Sequence, residues 1–223
     1  MPFMIRPETF TFLSDLKANN NREWFALNKK RHDDARQNIL DFIAEVIKGL
    51  SKKDPAISAD LDPKDCVMRI YRDIRFSLDK TPYKSNFGAG ISPQGKNFNG
   101  PGYYLHVTPE ECFVAGGCWM PEKEQLKLIR QEIDYNGSDF HQTLADLNLQ
   151  PGEGKLDTDH KLKTAPKGYP SDHPDIEYLK LKSFTVTLPI DPSDLTKTDA
   201  VKKVVSGFSA IHPFIVFLRN AIS

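Results

Sequence analysis

The stretch "GYYLHVTPEECFVAGG", Gly102–Gly117, decides the fold class because its residue types alternate as they do in a half-buried β-strand. Within "GYYLHVT", Tyr103, Leu105 and Val107 fall on one face of a strand, and the residues between them fall on the other. "CFVAGG" at 112–117 then predicts a second strand. The middle of the chain is therefore a sheet.

Three more segments around this stretch predict strands. "CVMRIY" at 66–71 and "GAGIS" at 88–92 precede it, and "SFTVTLPI" at 183–190 follows it. The intervening "PQGKNFNGPG" at 93–102 is rich in Gly, Asn and Pro, which predicts a mobile hairpin loop. The strands thus cluster in the central part of the chain, with one late addition.

Both ends of the chain have helical periodicity. Residues 7–18 and 30–50 carry apolar residues at helical spacing, Asn21 is a plausible N-cap for a helix from Arg22, and residues 194–222 are mostly helical. We therefore predict one α+β domain over residues 1–223, with a largely antiparallel central sheet, helices packed on one side, and helical N- and C-terminal regions.

The composition of the chain disfavours several functional classes of protein. Thirty basic and thirty acidic residues give zero net charge, which disfavours a dedicated nucleic-acid binder without excluding a local basic patch. No run approaches the ~20 apolar residues that a membrane span needs, and no cofactor fingerprint is present. Cys66, Cys112 and Cys118 lack metal-ligand spacing, so we expect reduced thiols, a cytoplasmic location and no bound metal.

Positive charge is concentrated in one segment, "RIYRDIRFSLDKTPYK" at 69–84, which we call the basic loop. From Lys64 to Lys84, six basic residues face three acidic ones, a local excess of three in a neutral chain. The predicted strand at 66–71 should end near Arg72, because Arg69, Arg72 and Arg75 gather only if the chain bends there. Arginine grips carboxylate or phosphate bidentately.

The basic loop admits three interpretations. In the first, the loop and a pocket under "PQGKNFNGPG" bind an anionic small molecule or a nucleic-acid phosphate. In the second, the protein is a hydrolase or transferase on an anionic substrate. In the third, the Arg and Asp side chains only pair with each other and hold the fold together. The predicted ligand-binding residues are Arg69, Arg72, Arg75, Lys80, Lys84 and Tyr104, and the predicted catalytic residues are Asp73, His106 and Tyr83.

The basic loop also carries a resemblance. Its pattern R-x-x-R-D-x-R-F followed by D-K-x-x-Y resembles the mark of a widespread bacterial family of uncharacterised proteins of similar length. "FLSDLKANNNREWFALNK", "GGCWMP", "PKGY" and "HPFIVFLRNAI" extend the resemblance over nearly the whole chain. It implies a single-domain family with a shared site, and it implies no particular reaction, cofactor or oligomeric state.

Overall fold

The computed structural model describes residues 3–147 and 155–223, and both ends of this described chain are helical. The helices are α1 (Pro7–Ala18), α2 (Arg22–Leu27), α3 (Lys29–Leu50), α4 (Pro63–Cys66), α5 (Lys123–Tyr135), α6 (Gly137–Asp146), α7 (Ile176–Leu179) and α8 (Ala200–Ala221). The side chain of Asn21 accepts a hydrogen bond from the Trp24 amide, which confirms the predicted N-cap of α2.

An antiparallel sheet lies between the helical ends. Its strands are β1 (Phe87–Ile91), β2 (Gly102–Val107), β3 (Cys112–Cys118), β4 (Lys155–Leu156) and β5 (Phe184–Ile190), in the order β1-β2-β3-β5-β4. The predicted α+β class, the antiparallel sheet and the helical termini are confirmed. The sequence did not predict β4, because two residues carry too little alternation to be recognised.

The sheet has two faces with different surroundings. On the inner face, Tyr103, Leu105 and Val107 are buried as the alternation predicts, and α8 and α3 pack over this side. The outer face carries Tyr104 and His106 from the same strand, which are half-buried. Because the helices cover the inner face, the outer face is where polar and aromatic side chains remain accessible.

The predicted strand at 66–71 is wrong. Cys66 ends α4, and the next residues are extended but paired with the sheet only at a single bridge between Val67 and Ala89. Beyond this bridge the segment no longer pairs with β1, and it forms one bridge within the basic loop, between Tyr71 and Tyr83. Arg72 donates to the Pro82 carbonyl, but Pro82 has no N–H to donate back, so the pairing does not extend past Arg72 on that side of the bridge.

Helix α8 also differs from expectation. By length and composition alone it is long and apolar enough to cross a membrane, with a mean hydropathy of 1.4 over an 18-residue window. No continuous apolar run reveals this in the sequence, because residues such as Gly207, His212 and Pro213 interrupt the apolar residues, although the helix itself is continuous. Its buried residues pack against β3 and α3, as those of a core helix do.

A buried polar network fixes α8 to the rest of the fold. Asp54, in the turn after α3, is bonded by Arg219 from α8 and by the Tyr103 hydroxyl at 2.9 Å. Nδ1 of His212 lies 2.8 Å from the same hydroxyl. Burial acts to raise the pKa of Asp54, but the hydrogen bonds from Arg219, Tyr103 and the Ala56 amide outweigh it and lower the pKa.

Candidate functional site

The outer face of the sheet contains a hollow that follows from the strand register. Gly90, Tyr104, Ala115 and Thr187 are aligned across β1, β2, β3 and β5 and share this face. Tyr104 is the one large side chain in this row. Because Ala115 and Thr187 are small, the surface drops away beside the tyrosine ring.

The next row along the strands deepens the hollow. It consists of Gly102, Gly117 and Thr185, again without a large side chain. Gly117 has φ +138°, and a Cβ there would lie 1.9 Å from the carbonyl oxygen of Phe184. Only glycine fits at this position, so the floor of the hollow cannot carry a side chain there.

Aromatic rings form one wall of the hollow. The imidazole of His106 stacks on Phe113 with centroids 4.7 Å apart and an interplanar angle of 7°, and the Tyr104 ring lies 6.0 Å from Phe113. The Tyr104 hydroxyl and Nδ1 of His106 are 3.1 Å apart. Burial lowers the pKa of His106 and raises that of Tyr104, so this wall is uncharged near neutral pH.

The segment 92–101 covers the hollow from the β1 side and turns it into a cleft. Lys96, Phe98 and Asn99 line this side, and the Asn99 carbonyl accepts a hydrogen bond from Gln125 of α5 at 3.0 Å. The ammonium of Lys96 donates to the carbonyl oxygen of Lys64 at 2.8 Å. The resulting cavity, which we call the outer-face cleft, has a volume of about 610 Å³.

The opposite rim of the outer-face cleft lies beside β5. Trp119 and Asp157 line it, and His160 contacts the Trp119 ring edge-on at 5.2 Å. Trp119 is 61% exposed, an unusual position for the largest apolar side chain. It is followed by Met120 at φ +46°, a left-handed conformation, and the Met120 amide donates to the buried Ser183 hydroxyl at 3.0 Å. The turn therefore holds Trp119 at the mouth of the cleft.

The central charges of the basic loop are already paired. Arg72 donates to Asp79 and Thr81, and Arg75 binds both carboxylate oxygens of Asp73, at 3.0 and 2.7 Å. The Arg72 guanidinium lowers the pKa of Asp79 to about 2.

Lys80 is also engaged within the loop, where it donates to the carbonyl oxygen of Ile74 at 2.9 Å. Three of the predicted ligand-binding residues, Arg72, Arg75 and Lys80, thus bind other groups of the same loop.

Arg69 and Lys84 form the remaining part of the predicted anion site. Burial lowers the pKa of Lys84, and the positive charge of Arg69 lowers it further, so the two cations lie close enough to repel each other. Within the described residues, neither side chain forms an ion pair with a carboxylate. Arg69 also follows Met68, which lines the outer-face cleft.

The three predicted catalytic residues lie in three different settings. Asp73 pairs with Arg75 at the surface, and His106 stacks on the aromatic wall. Tyr83 is buried, and its ring stacks on Phe25 with centroids 4.0 Å apart. Burial raises the pKa of Tyr83. Each group has a packing or pairing role that accounts for its position.

Sequence reasoning located the outer-face cleft only in part. It placed a pocket under residues 93–102 and included Tyr104, both of which the cleft contains. None of Arg69, Arg72 and Arg75 is among the lining residues. The lining residues that it missed include Ala115, Trp119, Asp157, Thr185 and Thr187. The signal that could have found Ala115 and Thr187 is the alternation of β3 and β5, which puts them on the face of Tyr104.

Residues 8–217 match a family described as conserved hypothetical protein (DUF2461), and the chain belongs to that family. No curated protein and no solved structure matches the chain. The predicted resemblance to a conserved family of uncharacterised proteins is confirmed, whereas the bacterial origin and the motif as the family's mark stay predictions.

Proposed function

We propose that this protein binds a small organic molecule with a flat ring in the outer-face cleft. The observation that carries the proposal is the cleft itself, whose floor is made of glycine, alanine and threonine beside an aromatic wall. Its volume of about 610 Å³ falls within the range of roughly 300–1,000 Å³ that is common for ligand pockets. A flat ring can lie on Ala115 and Gly117 with its edge against Tyr104.

The exposed Trp119 supports the same proposal. A half-exposed indole at a cleft mouth offers a stacking surface that is desolvated only when a ligand arrives, and aromatic pairs gain energy beyond their buried area. The left-handed conformation of Met120, the next residue, has a conformational cost, and the hydrogen bond from its amide to Ser183 helps to hold it. Such local strain is typical of functional sites.

Ligand-detected NMR with a set of ring compounds, namely indole, phenol, adenine and nicotinamide, tests the proposal. Ala115→Phe fills the floor of the cleft, because Ala115 lies at its centre and is only 9% exposed. Lys202→Phe, on the solvent side of α8, is the matched control. We expect at least one compound to bind the wild type and the control but not Ala115→Phe. Binding that survives in Ala115→Phe would contradict the proposal.

A second candidate function is the binding of a phosphate or carboxylate by the basic loop. The proximity of the two cations Arg69 and Lys84 favours it. Among the described residues these two cations form no close ion pair, although Arg69 lies near enough to Asp73 to lower the pKa of that carboxyl. An anion between them would relieve their repulsion, because each supplies a charge-assisted hydrogen bond. An open groove lined by Asn20–Glu23, Ile74 and Lys80–Pro82 adds the cation Arg22, while Glu23 lines the same groove and Lys80 is engaged by the Ile74 carbonyl. Phosphate should then raise the melting temperature of the wild type and not that of Lys84→Gln.

A further inference from the structure

The charged groups that line the outer-face cleft are separated by sign. Within the described lining, Lys96 is the one cation and Asp157 the one carboxylate. Lys96 lies on the β1 side, where its Cα is 3.3 Å from the position that a Cβ on Gly90 would occupy. Asp157 lies on the β5 side, where its amide donates to the Thr185 carbonyl at 2.8 Å. The cleft is therefore positive at one end and negative at the other.

Lys96 keeps its positive charge at the β1 side of the cleft. Its ammonium is held by a backbone carbonyl, and within the described residues it forms no ion pair with a carboxylate. The positive end of the cleft therefore has one cation whose charge is not neutralised by an ion pair.

The negative end is arranged to accept hydrogen bonds. Oδ1 of Asp157 accepts from the Asp159 amide at 2.9 Å, and Oδ2 lies 3.7 Å from Nδ1 of His160, beyond hydrogen-bond distance. That second oxygen therefore retains capacity for a donor from a ligand. Lys96 lies over Gly90 of β1, and Asp157 follows β4 at the far edge of the sheet, so the two ends are four strand spacings apart, about 19 Å in the plane of the sheet.

We propose that the ligand of the outer-face cleft is a planar ring that carries an anionic group at one end and a hydrogen-bond donor at the other, as in an amino-substituted nucleotide. This inference rests on the proposed function and deepens it. The ring lies over Ala115 between Tyr104 and Trp119, the anionic group meets Lys96, and the donor meets Oδ2 of Asp157. An aromatic phosphate ester and an aromatic carboxylate share this chemistry.

Trp119 provides a direct readout of this binding mode. The chain has two tryptophans, and Trp24 lies elsewhere, beside Phe12 and Arg31. Trp24→Phe therefore leaves Trp119 as the one tryptophan reporter. This variant can be titrated with adenosine, adenosine 5′-monophosphate, inosine 5′-monophosphate and inorganic phosphate. Because these probes differ by the phosphate, by the exocyclic amine, or by the whole ring, the titrations separate the contribution of each group to the affinity.

We expect adenosine 5′-monophosphate to bind about tenfold more tightly than adenosine, the effect of one charge-assisted contact. Lys96→Gln should remove that advantage, and Lys202→Gln should keep it. Adenosine 5′-monophosphate should also bind more tightly than the inosine nucleotide, and Asp157→Asn should equalise the two, because an amide can either donate or accept.

The outcomes separate this inference from the proposed function. If adenosine binds as tightly as its monophosphate, or if the adenosine and inosine nucleotides bind equally, the polar binding mode is wrong while the ring site stands. The same holds if the nucleotides fail to bind and indole or nicotinamide still binds in a manner sensitive to Ala115→Phe. If no ring compound binds at all, both the inference and the proposed function are wrong.

Discussion

Arg72 donates a hydrogen bond to Asp79 seven residues further along the same loop, so two charges at the centre of the basic loop neutralise each other. Asp79 is 56% exposed in this pair, which means that water can solvate it if the arginine is removed. The pair therefore shapes the loop without burying a charge, and it takes Arg72 out of the set of free anion ligands.

The first prediction follows from this exposure. Arg72→Ala should leave the melting temperature close to that of the wild type, because exposed ion pairs contribute little to stability and the stranded carboxylate stays in water. Differential scanning calorimetry of the variant measures this. A steep fall in melting temperature would mean that the loop is a brace for the whole fold.

Arg219→Ala provides the contrasting case. Arg219 binds Asp54, whose side chain is buried, so its removal leaves a buried carboxylate without its cationic partner. We expect a loss of about 3–5 kcal/mol in the free energy of unfolding, the range for breaking a buried ion pair. Urea unfolding of the single variant and of Arg219→Ala combined with Asp54→Ala checks this, since the double variant should lose less than the sum of the two single losses.

The lowered pKa of Asp54 predicts how stability depends on pH. The carboxyl binds its proton less readily in the folded protein than in the unfolded chain. Its stabilisation is therefore fully present above the unfolded pKa and is lost as the pH falls below about 4. Urea unfolding between neutral and acidic pH should show this decline, and Asp54→Asn should make the decline shallower. An equal slope in both proteins would assign the acid sensitivity to other carboxyls.

The three cysteines should resist alkylation in the folded protein. Cys66, Cys112 and Cys118 are free and buried, and burial raises the pKa of each thiol to about 11. Because the thiolate is the reactive form, iodoacetamide at neutral pH should modify them slowly in buffer and rapidly in denaturant. Fast modification of any one in the native protein would contradict this. Their reduced state in the cell and the cytoplasmic location stay predictions.

Much of the fold could be predicted because strands β1, β2, β3 and β5 and the long helices carry clear periodicity. At 66–71, "CVMRIY" alternates like a strand, but α4 still includes Cys66, and Val67 and Tyr71 bridge two different segments, at Ala89 and Tyr83. Neither bridge therefore grows into a strand, and Pro82 also has no N–H to donate back to Arg72. The alternation of residues along one segment does not show which hydrogen bonds the segment opposite it can form.

The candidate site was harder to predict than the fold. The density of positive charge in the basic loop predicted Arg72 and Arg75 as ligand-binding residues. The sequence does not show that the carboxylates of Asp79 and Asp73 pair with these two arginines. A cleft whose floor consists of glycine, alanine and threonine from separate strands has no recognisable motif in the sequence. It becomes visible only when the register places Ala115 beside Tyr104 and Thr187.

We propose that the ligand site is the outer-face cleft rather than the basic loop, and a ¹H–¹⁵N NMR titration with adenosine 5′-monophosphate distinguishes the two sites. If the cleft binds the nucleotide, the largest shifts should fall on the amides of Gly102, Ala115 and Thr187 and on the Trp119 indole. Shifts confined to residues 69–84 would instead support an anion site on the basic loop and would contradict the cleft as the ligand site.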